Sequence, residues 1–263
     1  MEKSALAAKI RDIPVPEHMR RRPVDRRGFP VPFFVAWVSP MGVKMPEGMG
    51  EPDHRVVDAV KLALCLKFSL CWLCGKPLGK FRALVVGPMC LVNRTTAEPD
   101  SHVDCAEYAA KACPFLANDR TRRNEARPLP PGSSSHPMGA KRNPGVACVF
   151  VHTERWLKRI PQGQGLAPLF RMPAGEPRRL TFWANGERAS RGQVMQSLNG
   201  GMAILQDAAA KHDGPEGVTE LACYYAATVA LVERWTDDFD PPAVNDDDAT
   251  EISVEAKRAD PMA

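Results

Sequence analysis

Cys71-Trp-Leu-Cys74-Gly75 and His102-Val-Asp-Cys105 carry the side chains of this sequence best suited to binding a metal. Two residues between the first pair of cysteines let both sulfurs reach one ion while amides of the turn donate to them. The glycine straight after permits the left-handed backbone that closes such a knuckle. In the second pair, Ser101 and Asp104 read as a capping box, which sets His102 at the first helical position and Cys105 at the fourth. Residues three apart on a helix share a face, and the helix dipole favours thiolate there. Cys71, Cys74, His102 and Cys105 together predict one bound Zn2+. Four protein ligands close the coordination sphere and leave no position for an activated water, so the metal is expected to be structural. Two more cysteines leave the ligand set open. Cys90, in Gly-Pro-Met-Cys, can take the place of His102, and Cys113 lies two turns along from Cys105. Each also reads as a small buried apolar residue.

Positioning these ligands requires a knuckle, then a hairpin containing Phe81 to Val86, then a helix from Ser101 that Pro114 ends at Cys113. That order is a treble-clef-like arrangement. The HNH nucleases share it, but Val85-Val86-Gly87-Pro88 stands where their histidine pair would be. Upstream, Val31 to Val38 is aromatic and β-branched, a strand. Asp58 caps a helix marked by Val60, Leu64 and Phe68 at a spacing of four. Residues 117–145 hold Arg120, Arg122, Arg123 and Arg127, then Pro128, Pro130, Pro131 and three serines, and read as a linker. Downstream come a strand at 146–152, a helical turn over 154–159 and strands at 169–172 and 179–184. Asn185-Gly186 makes a turn. Ser190 and Gln193 form a capping box ahead of Val194, Leu198, Met202 and Leu205, a run that Gly200-Gly201 is expected to break into two helices. A long helix follows over 216–235. The residues after Pro241 are acidic and lack aromatics, as in a disordered tail.

The expected protein is α+β, with a treble-clef-like zinc module embedded in a mixed strand and helix chain. Its parts are a polar and basic arm (1–30), a zinc-binding domain (31–116), the linker (117–145), a C-terminal α+β region (146–236) and the acidic tail (237–263).

Among 263 residues, 44% are hydrophobic and 25% charged, which suits a soluble globular protein. The opening Met-Glu-Lys-Ser-Ala-Leu-Ala-Ala-Lys has no apolar core for a secretory signal. No run approaches the ~20 apolar residues that span a membrane. The chain is therefore expected in the cytoplasm, where eight cysteines serve as ligands or core residues rather than disulfides.

The net charge of +4 is too small to diagnose a partner, but its distribution says more. Arginines cluster at Arg20, Arg21, Arg22, Arg26 and Arg27 and again at Arg120, Arg122, Arg123 and Arg127, where they can neutralise phosphates. The alternative is solvated charge, or pairing with the acidic tail. Asn93, Arg94 and Glu98 form a polar run before the zinc helix, either a small enzyme site or a capping loop. His54, His136 and His152 have no partner at a recognisable spacing. Gly-rich phosphate loops, G-x-S-x-G and H-E-x-x-H are absent.

Longer phrases carry a family resemblance. They include Ile13-Pro-Val-Pro-Glu-His-Met-Arg, Arg27-Gly-Phe-Pro-Val-Pro-Phe-Phe-Val, Cys71-Trp-Leu-Cys-Gly-Lys-Pro-Leu-Gly and Val86-Gly-Pro-Met-Cys-Leu-Val-Asn-Arg. Others are Glu98-Pro-Asp-Ser-His-Val-Asp-Cys-Ala-Glu-Tyr-Ala-Ala-Lys-Ala-Cys-Pro-Phe-Leu and Arg142-Asn-Pro-Gly. From near its start to the Ser190 helix, the chain resembles a family of proteins from phages, prophages and bacterial genomes. The resemblance implies no activity. It implies a phage or mobile-element setting, where small zinc proteins act on nucleic acid or on host machinery. The expected function is thus nucleic-acid binding through the arginines. Its alternatives are a protein–protein interaction factor acting on host or phage machinery and, third, an enzyme at Asn93, Arg94 and Glu98.

Overall fold

The computed structural model describes residues 12–117, 145–161 and 168–236. In chain order, a 3-10 turn (Glu17–Met19) precedes β1 (Val35–Val38), β2 (Lys44–Met45), β3 (Glu51–Val57) and α1 (Ala59–Phe68). Next come β4 (Arg82–Val86), α2 (Pro88–Asn93), β5 (Thr95–Thr96) and α3 (Val103–Ala112). The second half supplies β6 (Ala147–His152), β7 (Lys158–Ile160), β8 (Leu169–Arg171), β9 (Arg179–Ala184) and β10 (Glu187–Arg188). Two long helices, α4 (Arg191–His212) and α5 (Gly214–Thr236), close the described chain. The strands form three small antiparallel sheets, ordered β2-β1-β3, β10-β9-β6-β4 and β5-β8-β7.

Every residue of β6 is buried, so this strand needs cover on both faces. On one face Cys148 and Phe150 join Leu84 and Val86 of β4 and Leu180 and Phe182 of β9, packed against Leu91, Leu198 and Val232 from α2, α4 and α5. On the other, Val149 and Val151 join Ala83 and Trp183 against Val103, Ala106 and Ala110 of α3. Each large apolar side chain buried in this way contributes about 1.5–3 kcal/mol. The sheet therefore holds α3 by one face and leaves Cys105, Tyr108 and Ala112 for a second cluster with Cys71, Cys74 and Trp72.

The hairpin expected between the two ligand pairs is replaced by a longer-range pairing. β4 lies against β6 from Arg82↔His152 to Val86↔Cys148, so the two halves of the chain share one sheet. Residues 154–159 do not form a helical turn: Lys158–Ile160 pairs with β8, and Pro161 biases the residue before it toward extended backbone. Gly200-Gly201 does not break α4. A Cβ on Gly201 would lie 2.1 Å from the Met89 sulfur, so this glycine lets α2 approach. The capping box at Ser190 and Gln193 is formed. Of the expected strand over 31–38, the last four residues are β1; Phe33 instead donates its amide to the Leu73 carbonyl at 2.8 Å.

Residues 13–30, read from sequence as part of a basic arm, pack on the knuckle side, with Met19 buried and Ile13, Val15 and Phe29 against the second cluster. Three arginines there are paired, Arg20 with Glu17, Arg22 with Glu47 and Arg27 with Asp25. Among the described residues, no helix is long and apolar enough to cross a membrane. The linker's arginines Arg120, Arg122, Arg123 and Arg127, His136 and the acidic tail lie outside the described residues.

Asp58 caps α1 as its position suggests, accepting the amides of Val60 and Lys61 and the Lys44 ammonium at 2.8 Å. Burial pushes its carboxyl up, but these donors outweigh burial and hold it below the ordinary 3.8. A lowered folded-state pKa means the cap's stabilisation is present above 3.8 and is lost as pH falls through the folded value. Asp58→Ala is accordingly expected to cost about 1 kcal/mol at neutral pH. In thermal unfolding of both proteins, the gap should close as pH drops below 3.8.

Candidate metal centre

The knuckle is a short hairpin built from its own backbone. Cys71 donates its amide to the Lys76 carbonyl at 2.7 Å, Leu78 donates to Ser69 at 2.9 Å, and Gly75 closes the inner turn onto the Cys71 carbonyl at 2.8 Å. Gly75 has φ +79, and a Cβ there would come within 2.7 Å of the Phe33 ring, so both its conformation and its packing require glycine. Trp72 stacks on Phe34 and donates its amide to the Asp100 carbonyl at 2.9 Å. That bond ties the knuckle to the segment that leads into α3.

The helix starts one residue later than the capping box implies, so His102 and Cys105 take its N-cap and third positions. Ser101 bridges to β4, exchanging both backbone hydrogen bonds with Ala83, and leaves the cap position to the next residue. His102 is the N-cap residue, in extended conformation, and Asp104 accepts the Cys105 amide at 2.7 Å. Both side chains still project from the start of α3 toward the knuckle.

The four ligand atoms of Cys71, Cys74, His102 and Cys105 lie within 4.8 Å of one another, and all four residues are buried. Cys74 Sγ is 3.3 Å and Cys105 Sγ 4.0 Å from His102 Nδ1. A tetrahedral zinc with bonds of about 2.0–2.3 Å separates neighbouring ligand atoms by roughly 3.5–3.8 Å. The observed spacing brackets that value, so the group can hold one metal ion. The amides of Cys74 and His102 both point at Cys71 Sγ, at 3.4 Å. His102 Nε2 sits 2.9 Å from the Pro77 carbonyl, an acceptor only, so Nε2 carries the proton and Nδ1 is left to face the sulfurs. His18 of the 3-10 turn stacks flat on the His102 ring, with centroids 4.1 Å apart.

The ligand side chains perturb one another strongly. Burial pushes the Cys71 thiol up, yet hydrogen bonds from Cys105, Cys74 and His102 prevail and hold it well below its usual range. Burial disfavours a charged His102, but Cys71 and Cys74 raise it to about 11. The clustered sulfurs thus favour positive charge at this point, which a metal cation also supplies, and its binding there releases protons.

Cys90 and Cys113 stand elsewhere: Cys90 on α2 against the central core, Cys113 as the C-cap of α3. The neighbour without a sequence signal is Cys65 of α1. It is buried in the same cluster, with its thiol pushed up to about 12 by burial and by Cys71 and Cys74. Asn93 spends its side chain on the Thr95 amide, Arg94 packs over Phe150 and bonds the Pro173 carbonyl, and Glu98 is exposed. His54 lies 3.7 Å from Asp25. His152, isolated in sequence, meets Asp100 through Nε2 at 2.9 Å, and Arg82 Nη1 stands 3.6 Å from the other oxygen of that carboxylate. Only the β4–β6 register makes this buried trio.

Comparisons with protein-family models, with curated proteins and with solved structures return no match.

Proposed function

We propose that Cys71, Cys74, His102 and Cys105 hold one zinc ion as a structural staple, and that the chain is a binding protein that contacts nucleic acid through its arginines. The observation that carries the structural role is burial: the four residues are between 0% and 6% exposed, with their ligand atoms turned on one another. Three thiolates and one imidazole suit zinc by softness and by geometry. When bound, the ion supplies a cross-link between the knuckle and α3. The knuckle followed by a helix that delivers the second ligand pair is what a treble-clef-like module looks like, here with its strand lent to a larger sheet.

The nucleic-acid reading is supported by the arginine-rich sequence of residues 120–127 and by the exposed Arg155 and Arg159 of the second half. Binding of the zinc-loaded chain to oligonucleotides is expected to weaken steeply with salt, as counterions are released from each neutralised phosphate. Changing Arg120, Arg122 and Arg123 to Ala should weaken it further and flatten the salt dependence. Absence of binding at low salt would refute it.

One observation favours the second reading, a protein–protein interaction factor for host or phage machinery. Val60, Leu64 and Phe68 do recur at helical spacing, but they point outward from α1 at 60%, 36% and 56% exposure. A stable co-purifying protein, indifferent to nuclease, would support it over the first.

A further inference from the structure

We propose that the cavity between the knuckle hairpin and β7–β8 holds one nucleotide of a single-stranded nucleic acid, with Trp156 stacking on the base and Arg155 and Arg159 on the phosphates. This rests on the nucleic-acid reading above and gives it a place. The cavity measures about 270 Å³ and lies where Leu70 of the knuckle faces Phe170 of β8. That is just under the small-molecule sites, which run from about 300 Å³ upward, so it has room for one nucleotide and not for a dinucleotide.

Three features select this occupant. The walls are mostly apolar, which suits the faces of a nucleobase. Trp156 is 53% exposed at the rim, with the Arg155 guanidinium 5.8 Å from its ring centroid on one side, which leaves indole surface for a base and a cation beside it for the phosphate. The charge is also suitable. Among the described residues no carboxylate pairs with Arg155 or Arg159, whereas Asp100, the one carboxylate on the wall, is already engaged by His152 and Arg82.

The rim is held in place from below. Buried Arg82 donates to the Arg155 carbonyl at 2.5 Å, which fixes the backbone that presents Arg155 and Trp156. Arg159 pairs opposite Phe170, so both stand on the cavity face of β7–β8. Lys158 pairs opposite Arg171 on the other face. A base enters such a recess only if it is unstacked from its neighbours, so single strands are preferred over duplex.

The test is fluorescence anisotropy of a labelled oligothymidine and of a duplex of equal length, with the full zinc-loaded chain at low salt. Single-strand binding tighter than duplex binding is expected. Trp156→Ala should weaken it by about 5- to 150-fold, the worth of one stacked base. Arg155→Ala with Arg159→Ala should weaken it and reduce the salt slope by roughly 1.4, two phosphates at about 0.7 each. Arg171→Ala, on the opposite face, should leave affinity within about twofold, below the roughly fivefold that even a weak stack is worth. If neither strand form binds, the nucleic-acid reading and this site fall together. If the single strand binds but ignores the Trp156 and Arg155/Arg159 changes, or if duplex binds as tightly, the site falls and the broader reading stands.

Discussion

Cys105→Ser is expected to leave the knuckle unfolded at neutral pH and to abolish metal binding. The serine hydroxyl does not replace a thiolate, and three remaining ligands cannot complete the tetrahedron. Structural zinc contributes about 10–16 kcal/mol of apparent binding energy in small finger peptides. Whole domains are stable by only about 5–15 kcal/mol, so losing even half of the metal's contribution outweighs most of what holds the module. The damage should be unequal. The cysteine ligands sit inside the cluster that also holds Met19, Trp72, Leu73 and Tyr108, so losing the metal leaves polar ligand side chains unpaired within that cluster alone. The core around Leu84, Phe150, Phe182, Leu198 and Val232 does not depend on the ligands. Thermal unfolding should therefore show a fall of at least about 10 °C, at roughly 2–4 °C per kcal/mol, with helical signal from α4 and α5 retained. Chelation of the unaltered protein should reproduce this curve, and chelator should change nothing further in Cys105→Ser.

Asp100→Ala is the second large effect. Asp100 and Arg82 are both 7% exposed at the side chain, and His152 is 3% exposed. Burial already pulls the Arg82 guanidinium below its usual value, against the opposing influence of Asp100. Deleting the carboxylate strands that charge in the interior, which typically costs about 3–5 kcal/mol. It also removes the acceptor of His152 Nε2 and loosens the anchor of the Arg155 carbonyl. Adding Arg82→Met to Asp100→Ala should recover part of the loss, because the penalty lies in the unpaired charge and not in the missing bond. A denaturant series on the two single variants and the double variant measures this. Strictly additive losses would show that the pair is not coupled.

What was legible in the sequence is what short-range chemistry dictates. The two-residue gap and the glycine at position 75 specify a knuckle through one turn, and Asp58 and Ser190 mark helix starts through bonds to their own following amides. The pairing of β4 with β6 was not legible, because its partners are separated by the whole of α3 and the residues after it. Its consequence, His152 meeting Asp100 and Arg82, was therefore invisible too. Two local signals misled for a physical reason. Ser101 has the chemistry of a cap but is claimed by Ala83, and Gly200-Gly201 has the chemistry of a break but its second glycine accommodates Met89. The stripe of Val60, Leu64 and Phe68 marks a helix correctly, while periodicity alone cannot say whether a stripe finds a partner within the chain.

The central claim, one structural zinc held by Cys71, Cys74, His102 and Cys105, is tested most directly by native mass spectrometry of the chain purified without chelator. One zinc per folded chain is predicted, lost on adding a chelator with a shift of the charge-state distribution toward a partly unfolded form. A compact, fully folded chain that carries no metal would contradict the claim, and the four residues would then have to hold together as a proton-sharing core.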